Sequence, residues 1–170
     1  YGWSPGAMGA SERGAQAFID SGMTALTMGD EAVIETRHYR TSGPQMRGER
    51  QAVTRTVRAG VSVRIRRHAD LSADELAQME IRADAWRDTA EERGFAMALS
   101  RLGDPADGQC VLVEAVQYAD TPAERVVGML SFVPWGRAGL SLDLMRRDRD
   151  AVNGVVEAMA KRVAGGPWLD

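Results

Sequence analysis

Residues 110–147, CVLVEAVQYADTPAERVVGMLSFVPWGRAGLSLDLMRR, decide the fold that this chain can adopt. The segment contains three apolar runs, at 110–116, 125–135 and 140–146. Each run has the length of a strand, and the connections between them contain Thr121-Pro122 and Gly136, which favour turns. Strands that are joined by short connections pair in the antiparallel direction. The segment therefore predicts three neighbouring, largely antiparallel strands of one sheet.

The residues on either side of this segment predict the remaining elements. Helices are expected at 10–21, 44–59, 72–93 and 150–164, a strand at 61–67, and a strand–turn–strand pair at 24–35 with its turn at Gly29-Asp30. Ser72 and Glu75 form a capping-box pattern, whereas Pro44 suits the first turn of its helix and Ser42 its cap. Strands that are interrupted by helices in this order predict an α+β (mixed α/β) fold.

The composition is that of an ordinary folded domain and excludes several classes of protein. Of the 170 residues, 44% are hydrophobic and 26% are charged, and no apolar run approaches the roughly 20 residues that span a bilayer. The single cysteine, Cys110, excludes an internal disulfide and a cysteine-rich metal site, and we expect it to be buried. His38 and His68 lack the spacing of metal ligands, so no metal site is predicted, and their basic neighbours indicate surface positions.

Positive charge is concentrated in one part of the chain. Between Arg37 and Arg67 there are nine arginines and one acid, Glu49, which give the segment a formal charge of +8. Because the whole chain carries −3, the remainder carries −11. The helix within this segment has only a thin apolar stripe, formed by Met46, Val53 and Val57. Such a split indicates a polyanionic partner for the basic segment.

The strand predicted at 140–146 carries charges that an ordinary buried strand would exclude. In a regular strand, Asp143 points to one face, and Leu144 and Arg146 point to the other. A charged pair inside a leucine-rich strand costs free energy unless each charge has a partner or a task. One explanation is a surface carboxylate in a salt bridge. The other is a functional pair, which a twist or bulge in the strand would bring around one solvent-accessible cleft.

Several strings of this sequence carry a family resemblance. They are GDEAVIE (29–35), MRGERQAVTRTVRAG (46–60), GFAMALSRLGDPADGQCVLVEA (94–115) and GMLSFVPWGRAGLSLDLMRRDRDAVNGVVE (128–157). The last string contains S-x-D-x-M-R and D-x-x-N-G pieces. With these strings in this order, the chain resembles the catalytic domain of the aminoacyl-phosphatidylglycerol synthases. This is the multiple peptide resistance factor family, whose C-terminal domains are phosphatidylglycerol lysyltransferases, and the likeness is greatest to its actinobacterial branch.

The resemblance implies a fold and a division of the chain. The family domain is a tandem of two acetyltransferase-like (GNAT) folds joined by a long basic helix. Residues 1–43 would then be the C-terminal end of the first fold, 44–60 the linking helix, and 61–170 the N-terminal portion of the second fold. The closing residues AKRVAGGPWLD (160–170) depart from the family pattern, so we expect the second fold to be truncated and incomplete in this chain.

The resemblance also implies a reaction, its partners and its residues. The family transfers an amino acid, lysine in the branch resembled here, from aminoacyl-tRNA to phosphatidylglycerol at the cytoplasmic face of the membrane, and no cofactor is implied. Asp143 and Arg146 would be catalytic, with Arg146 on the lipid phosphate and Asp143 orienting the attacking hydroxyl or the donor's ammonium group. The other implied contacts are Asn153, Glu157 and Arg147 for substrate, and Arg47, Arg50, Arg55 and Arg58 for tRNA or lipid.

Two other functions remain open from the residues themselves. A catalytically incomplete fragment could bind tRNA or anionic lipid through its basic helix without performing transfer. A CoA-dependent acetyltransferase is disfavoured, because RDRDAVNG (147–154) follows the last strand where such enzymes place a glycine-rich pyrophosphate loop. Acidic residues in that loop would repel a pyrophosphate, so CoA is not expected as the acyl donor.

Overall fold

The computed structural model describes residues 6–7, 9–27, 29, 32–87 and 102–165. The chain forms two compact units, residues 1–33 and 34–170. In the first unit, helix α1 (Glu12–Asp20) begins after Ser11, whose Oγ accepts a hydrogen bond of 3.2 Å from the amide of Gly14. The helix is followed by Gly22, which adopts a φ of +86°. The helix predicted at 10–21 is therefore confirmed.

The strand–turn–strand pair predicted at 24–35 is wrong for the described residues of that range. None of residues 24–27, 29 and 32–35 lies in a strand. Leu26 and Val33 are 84% and 68% exposed, so the apolar face that would stabilise a ribbon is uncovered. A two-stranded ribbon is marginally stable until a third strand or a helix covers that face, which explains why the pattern of residues did not produce strands.

The second unit is an antiparallel sheet with helices on both faces. Its elements in chain order are α2 (Arg47–Arg58), β1 (Val61–Arg67), α3 (Ala73–Ala85), β2 (Val111–Gln117), β3 (Arg125–Trp135), β4 (Gly139–Arg147) and α4 (Val155–Gly165). Short 3-10 helices lie at Thr36–His38 and His68–Asp70. The four strands lie in the order β1-β2-β3-β4, and each is antiparallel to its neighbour. The strands predicted at 61–67, 110–116, 125–135 and 140–146 and the α+β fold are confirmed.

Each face of the sheet packs against a different helix. The α4 face carries a core cluster that includes Val113, Leu130, Val155 and Met159. The α3 face carries a second cluster that includes Leu112, Met129, Met79 and Ala83. Because both faces are covered, β2 is buried from Val111 to Val116, as a strand inside two layers requires. Cys110 is buried directly before β2, as predicted.

Helix α3 begins where the sequence predicts and ends earlier. Ser72 Oγ accepts a hydrogen bond of 3.2 Å from the amide of Glu75, whose carboxylate accepts one of 2.9 Å from the amide of Ser72. This capping box confirms the predicted start. The helix ends at Ala85 with Trp86 as its C-cap, not at residue 93, and residues 88–101 lie outside the described part of the chain. Trp86 packs against the α3-face core, as predicted.

Helix α2 starts later than predicted and buries a different face. It begins at Arg47 after Met46, so the predicted cap at Ser42 is wrong. Its buried residues are Ala52 and Thr56, whereas Val57 of the predicted apolar stripe is 64% exposed. The hydroxyl of Thr56 donates a hydrogen bond of 2.7 Å to the carbonyl oxygen of Val53, which allows this side chain to be buried. Small residues on the buried face permit a close approach to a neighbouring element.

That neighbour is the turn before α4. Gly154 adopts a φ of +108°, and a Cβ atom there would lie 2.7 Å from the carbonyl oxygen of Ala52. Only glycine fits such a position. Asp148 forms the preceding turn, because its Oδ1 accepts a hydrogen bond of 2.9 Å from the amide of Asp150. This turn delays the start of α4 to Val155, five residues after the predicted start.

A buried carboxylate joins β1, β2 and α3. Glu114 lies at the centre of β2, points to the α3 face and is fully buried. Its oxygens accept two hydrogen bonds from Arg64 (3.0 and 3.2 Å) and two from Arg66 (3.1 and 2.8 Å). Arg66 also donates a hydrogen bond of 2.6 Å to Glu75, which lowers the pKa of that carboxyl to about 2. Arg64 donates one of 3.1 Å to Glu124.

We expect the two sides of this network to differ in their contribution to stability. The double variant Arg64→Met/Arg66→Met should lower the free energy of unfolding by about 3 kcal/mol or more, because it leaves a buried carboxylate without a cation. Glu114→Leu should cost less, because the Arg64 and Arg66 side chains are 38% and 21% exposed and can turn toward water. Urea denaturation measures both; a larger loss for Glu114→Leu would contradict the assignment.

Candidate functional site

Strand β4 contains a bulge at Asp143. Leu142 is paired with Phe132 of β3, and Leu144 is paired with Ser131, so two neighbouring residues of β3 face a stretch of three in β4. Asp143 is the extra residue of the longer stretch. An inserted residue of this kind changes which face the following side chains occupy.

The bulge brings Asp143 and Arg146 to the same face of the sheet. Leu142 packs against the α4-face core, whereas Leu144 packs against the α3-face core. Arg146 is paired with Met129, a residue of the α3 face. Alternation from Leu142 also directs Asp143 to the α3 face. The bulge proposed from the sequence therefore exists, and the opposite-face arrangement of a regular strand does not.

The environment of Asp143 differs from the open cleft that the sequence suggested. Asp143 is only 3% exposed, so the expected solvent-accessible cleft is wrong for this side chain. Arg146 is partly buried, and its Nη1 donates a hydrogen bond of 3.0 Å to the carbonyl oxygen of Met145. The pair thus combines an interior carboxylate with a guanidinium nearer the surface.

His68 is a neighbour of Asp143 that the sequence did not reveal. It is 3% exposed, so the predicted surface position is wrong, whereas His38 is exposed as predicted. Neither ring nitrogen of His68, nor the fully buried hydroxyl of Ser131, has a hydrogen-bond partner among the described residues. Burial lowers the pKa of His68 below 6.5, and the carboxylates of Asp107 and Asp143 act in the opposite direction. The interior beside Asp143 therefore holds a neutral imidazole with unused hydrogen-bonding capacity.

The other predicted substrate contacts gather on the opposite side of the sheet. Arg147 is paired with Gly128, where a Cβ atom would touch Val155 and Met159, so Arg147 points to the α4 face. A cavity of about 340 Å³ lies there. Its lining includes Arg147, Asn153, Glu157 and Arg55 of α2. Two guanidinium groups and one carboxylate around one cavity suit a ligand that carries both a phosphate and a cation.

Asn153 and Glu157 reach this cavity by a different route from the one expected. The sequence suggested that a spacing of four residues places both on one helix face. Asn153 instead precedes α4, which begins at Val155, and Glu157 lies in its first turn. The sharp turn at Gly154 brings both residues to the same cavity.

The four arginines assigned to tRNA or lipid have unequal environments. Arg50 is partly buried, and its Nη1 donates hydrogen bonds of 2.7 Å to the carbonyl oxygens of Thr41 and Gly43. This side chain therefore holds the segment before α2 in place. Arg47, Arg55 and Arg58 are exposed. The surface that α2 offers to a polyanion consists of these three.

The described residues contain no cluster of His, Cys, Asp and Glu that could hold a metal ion. Within the same ranges, no helix is both long enough and apolar enough to cross a membrane.

We expect His68 to make stability depend on pH. Because the pKa of His68 in the folded chain lies below 6.5, the imidazole binds a proton more readily in the unfolded chain than in the folded chain. The free energy of unfolding should therefore be retained above pH 6.5 and fall as the pH drops below it, by at most about 1.4 kcal/mol per pH unit. His68→Asn should remove this slope, and the exposed control His38→Asn should keep it. Urea denaturation between pH 5 and 7.5 measures the slope; an unchanged slope in His68→Asn would contradict the assignment.

Comparison with known proteins places these features in a family. The chain matches the family described as phosphatidylglycerol lysyltransferase, C-terminal, over residues 1–165. It is 67% identical over 159 residues to the lysylphosphatidylglycerol biosynthesis bifunctional protein LysX of Gordonia bronchialis, an alignment that covers 94% of this chain and 14% of that protein. It is 57% identical over 164 residues to the LysX of Mycobacterium tuberculosis H37Rv, covering 96% and 14%. The chain therefore spans only a small part of these relatives.

Two solved structures share the fold. The structure of L-PGS from Bacillus licheniformis aligns with a TM-score of 0.72 at 20% identity, over 90% of this chain and 47% of that one. The C-terminal domain (DUF2156) of a putative lysylphosphatidylglycerol synthetase from Agrobacterium fabrum gives 0.69 at 18% identity, over 91% and 47%. These likenesses concern the fold, and the family follows from the sequence match over nearly the whole chain: it belongs to the phosphatidylglycerol lysyltransferase C-terminal family, as its resemblance to the actinobacterial branch predicted.

Proposed function

We propose that this chain is part of an aminoacyltransferase that moves an amino acid, lysine, from aminoacyl-tRNA to the head group of phosphatidylglycerol. Family membership and the names of its relatives support this reaction class. The observation that carries the proposal is the bulge at Asp143, which sets a carboxylate and a guanidinium on one face of β4 inside an otherwise leucine-rich strand. A fold retains charges in such a strand where each has a partner or a task, and the family's reaction supplies a task.

The chemistry requires positioning and one proton transfer. A hydroxyl of the lipid glycerol attacks the carbonyl carbon of the aminoacyl ester. The new carbon–oxygen bond forms as the bond to the tRNA ribose breaks, and the proton lost by the hydroxyl ends on the ribose oxygen. An ester donor is already activated, so orientation of the two reactants supplies much of the rate acceleration.

The residues of the α3 face fit this step. Arg146 would hold the phosphate of the lipid, since a guanidinium matches two phosphate oxygens. Asp143 would orient the attacking hydroxyl or the ammonium group of the donor. His68 is buried near Asp143, and we add it to the residues of this face because its ring nitrogens are not engaged by any other described residue.

The residues of the α4 face fit the RNA-borne donor. Arg55 and Arg147 would hold phosphates near the end of the tRNA, and Glu157 and Asn153 would contact the rest of the donor. The exposed Arg47 and Arg58 extend this positive surface along α2. Within the family domain, residues 1–43, 44–60 and 61–170 would then be the end of one GNAT-like fold, the linking helix and the start of the next. The parent protein would work at the cytoplasmic face of the membrane, and CoA is not expected as a donor.

We expect substitutions at Asp143 and Arg146 to lower transfer without unfolding the chain. In the longer protein that carries this chain, Asp143→Asn and Arg146→Ala should each lower the rate of labelled lysine transfer into phosphatidylglycerol by about 10²-fold or more, since each removes orientation of a reacting group. Arg13→Ala, an exposed arginine of α1, serves as the matched control and should keep full activity.

The same assay separates the alternatives. Wild-type rates in both variants would show that the pair is structural. Binding of tRNA or anionic lipid without any transfer by the wild-type protein would support the binding-module alternative.

We also expect the exposed arginines of α2 to govern RNA affinity. Arg47→Gln/Arg58→Gln should weaken binding of an acceptor-stem RNA, and the slope of log K against log salt should fall by about 0.7–0.9 for each phosphate that is no longer neutralised. Arg50→Gln should instead lower thermal stability, because it frees two backbone carbonyls. Fluorescence titration at several salt concentrations measures affinity, with Arg13→Gln as control. Equal salt slopes for the wild type and the double variant would contradict this role.

A further inference from the structure

The ribbon formed by β3 and β4 projects beyond the rest of the sheet. The last pair between β2 and β3 is Val111 with Phe132. The pairing of β3 with β4 continues for three more residues of β3, ending with Trp135 opposite Gly139. Gly136 closes the turn with a φ of +63°. Residues 134–138, the sequence PWGRA, are all exposed, and we call them the ribbon tip.

The ribbon tip presents an ordered aromatic side chain to solvent. Trp135 is 62% exposed. A Cβ atom at Gly139 would lie 3.1 Å from Cε3 of the indole and 2.7 Å from the carbonyl oxygen of Trp135. The indole therefore rests against the backbone of the glycine opposite, which limits its motion while leaving most of its surface uncovered. An exposed large side chain that is held in this way indicates an interaction site.

The chemistry around Trp135 indicates what the site meets. Residues 132–142, FVPWGRAGLSL, contain no acid, and their one charged residue is Arg137. Tryptophan prefers the interface between the head groups and the hydrocarbon of a bilayer, and arginine keeps its guanidinium at the level of the phosphates. One cation among apolar residues is a poor match for a nucleic acid, which is held by many phosphate contacts. It suits an anionic lipid surface.

We propose that the ribbon tip is a membrane-docking element, in which Trp135 inserts into the interfacial layer of an anionic phospholipid bilayer and Arg137 contacts lipid phosphates. The indole supplies affinity for any bilayer interface, and the guanidinium adds a preference for negatively charged lipids. This role concerns how the chain meets a lipid surface and does not depend on the transfer reaction.

The test is binding of the 170-residue chain to vesicles, measured by co-sedimentation with vesicles of pure phosphatidylcholine and with vesicles that also contain phosphatidylglycerol. Trp135→Ala should lower the partition coefficient by about tenfold on both kinds of vesicle. Arg137→Gln should lower it only on the vesicles that contain phosphatidylglycerol. Tyr118→Ala is the matched control, because Tyr118 is a half-exposed aromatic residue at the opposite end of β3, next to the β2–β3 turn.

Three outcomes would overturn the proposal. They are no binding of the wild-type chain to either vesicle, equal binding of the wild type and Trp135→Ala, and loss of RNA binding in place of vesicle binding when Trp135 is replaced. Trp135→Phe keeps the ring against Gly139 and guards against misfolding, and it should show an intermediate partition coefficient. Because the assay contains no aminoacyl-tRNA, its failure would leave the transferase proposal intact.

Discussion

The rest of the structure depends on the buried carboxylate of Glu114. A carboxylate without solvent must be paired, and here the two arginines of the neighbouring strand supply the pairing. A slip of β1 against β2 by one residue would turn Arg64 and Arg66 toward the α4-face core and leave Glu114 alone. Arg66 extends the constraint to α3 by binding Glu75, which also closes the capping box of that helix. Strand register and helix start are therefore set by one network.

The same network changes the meaning of the basic segment. Arg64 and Arg66 contribute to its formal charge of +8, yet both are paired with acids from distant parts of the chain. Glu49, the one acid of the segment, accepts a hydrogen bond from the hydroxyl of Tyr39. Burial of Tyr39 and the nearby Glu49 carboxylate raise the pKa of that tyrosine to about 12. The positive surface that remains for a polyanion includes the exposed arginines of α2, together with the exposed Arg37 and Arg40 before that helix. A count of charges along a sequence cannot show which of them are already paired in space.

Local patterns predicted the parts of the fold that depend on local physics. The apolar runs of β2, β3 and β4 and the capping box at Ser72 were confirmed, because strand length and caps are decided within a few residues. The predicted ribbon at 24–35 failed because its stability depends on a covering element. The sequence suggested that β4 contains a twist or a bulge but did not predict its position, because the bulge at Asp143 arises from the register of β4 on β3. The burial of His68 depends likewise on tertiary packing. Its basic neighbours in the sequence indicated a surface position, which was wrong.

Strand β4 connects the ribbon tip, the bulge at Asp143 and the cavity of the α4 face. It begins at the ribbon tip, carries the bulge at Asp143 in its middle and ends at Arg147 beside the cavity of the α4 face. With a rise of about 3.3 Å per residue, Asp143 lies about 13 Å from Gly139 and Arg147 about 26 Å. By the same measure Arg146 lies about 23 Å from Gly139, so Asp143 lies nearer to the ribbon tip than either arginine does. The two arginines that end β4 point to opposite faces, Arg146 to the α3 face and Arg147 to the α4 face, so this end of one edge strand offers a cation to each side of the sheet.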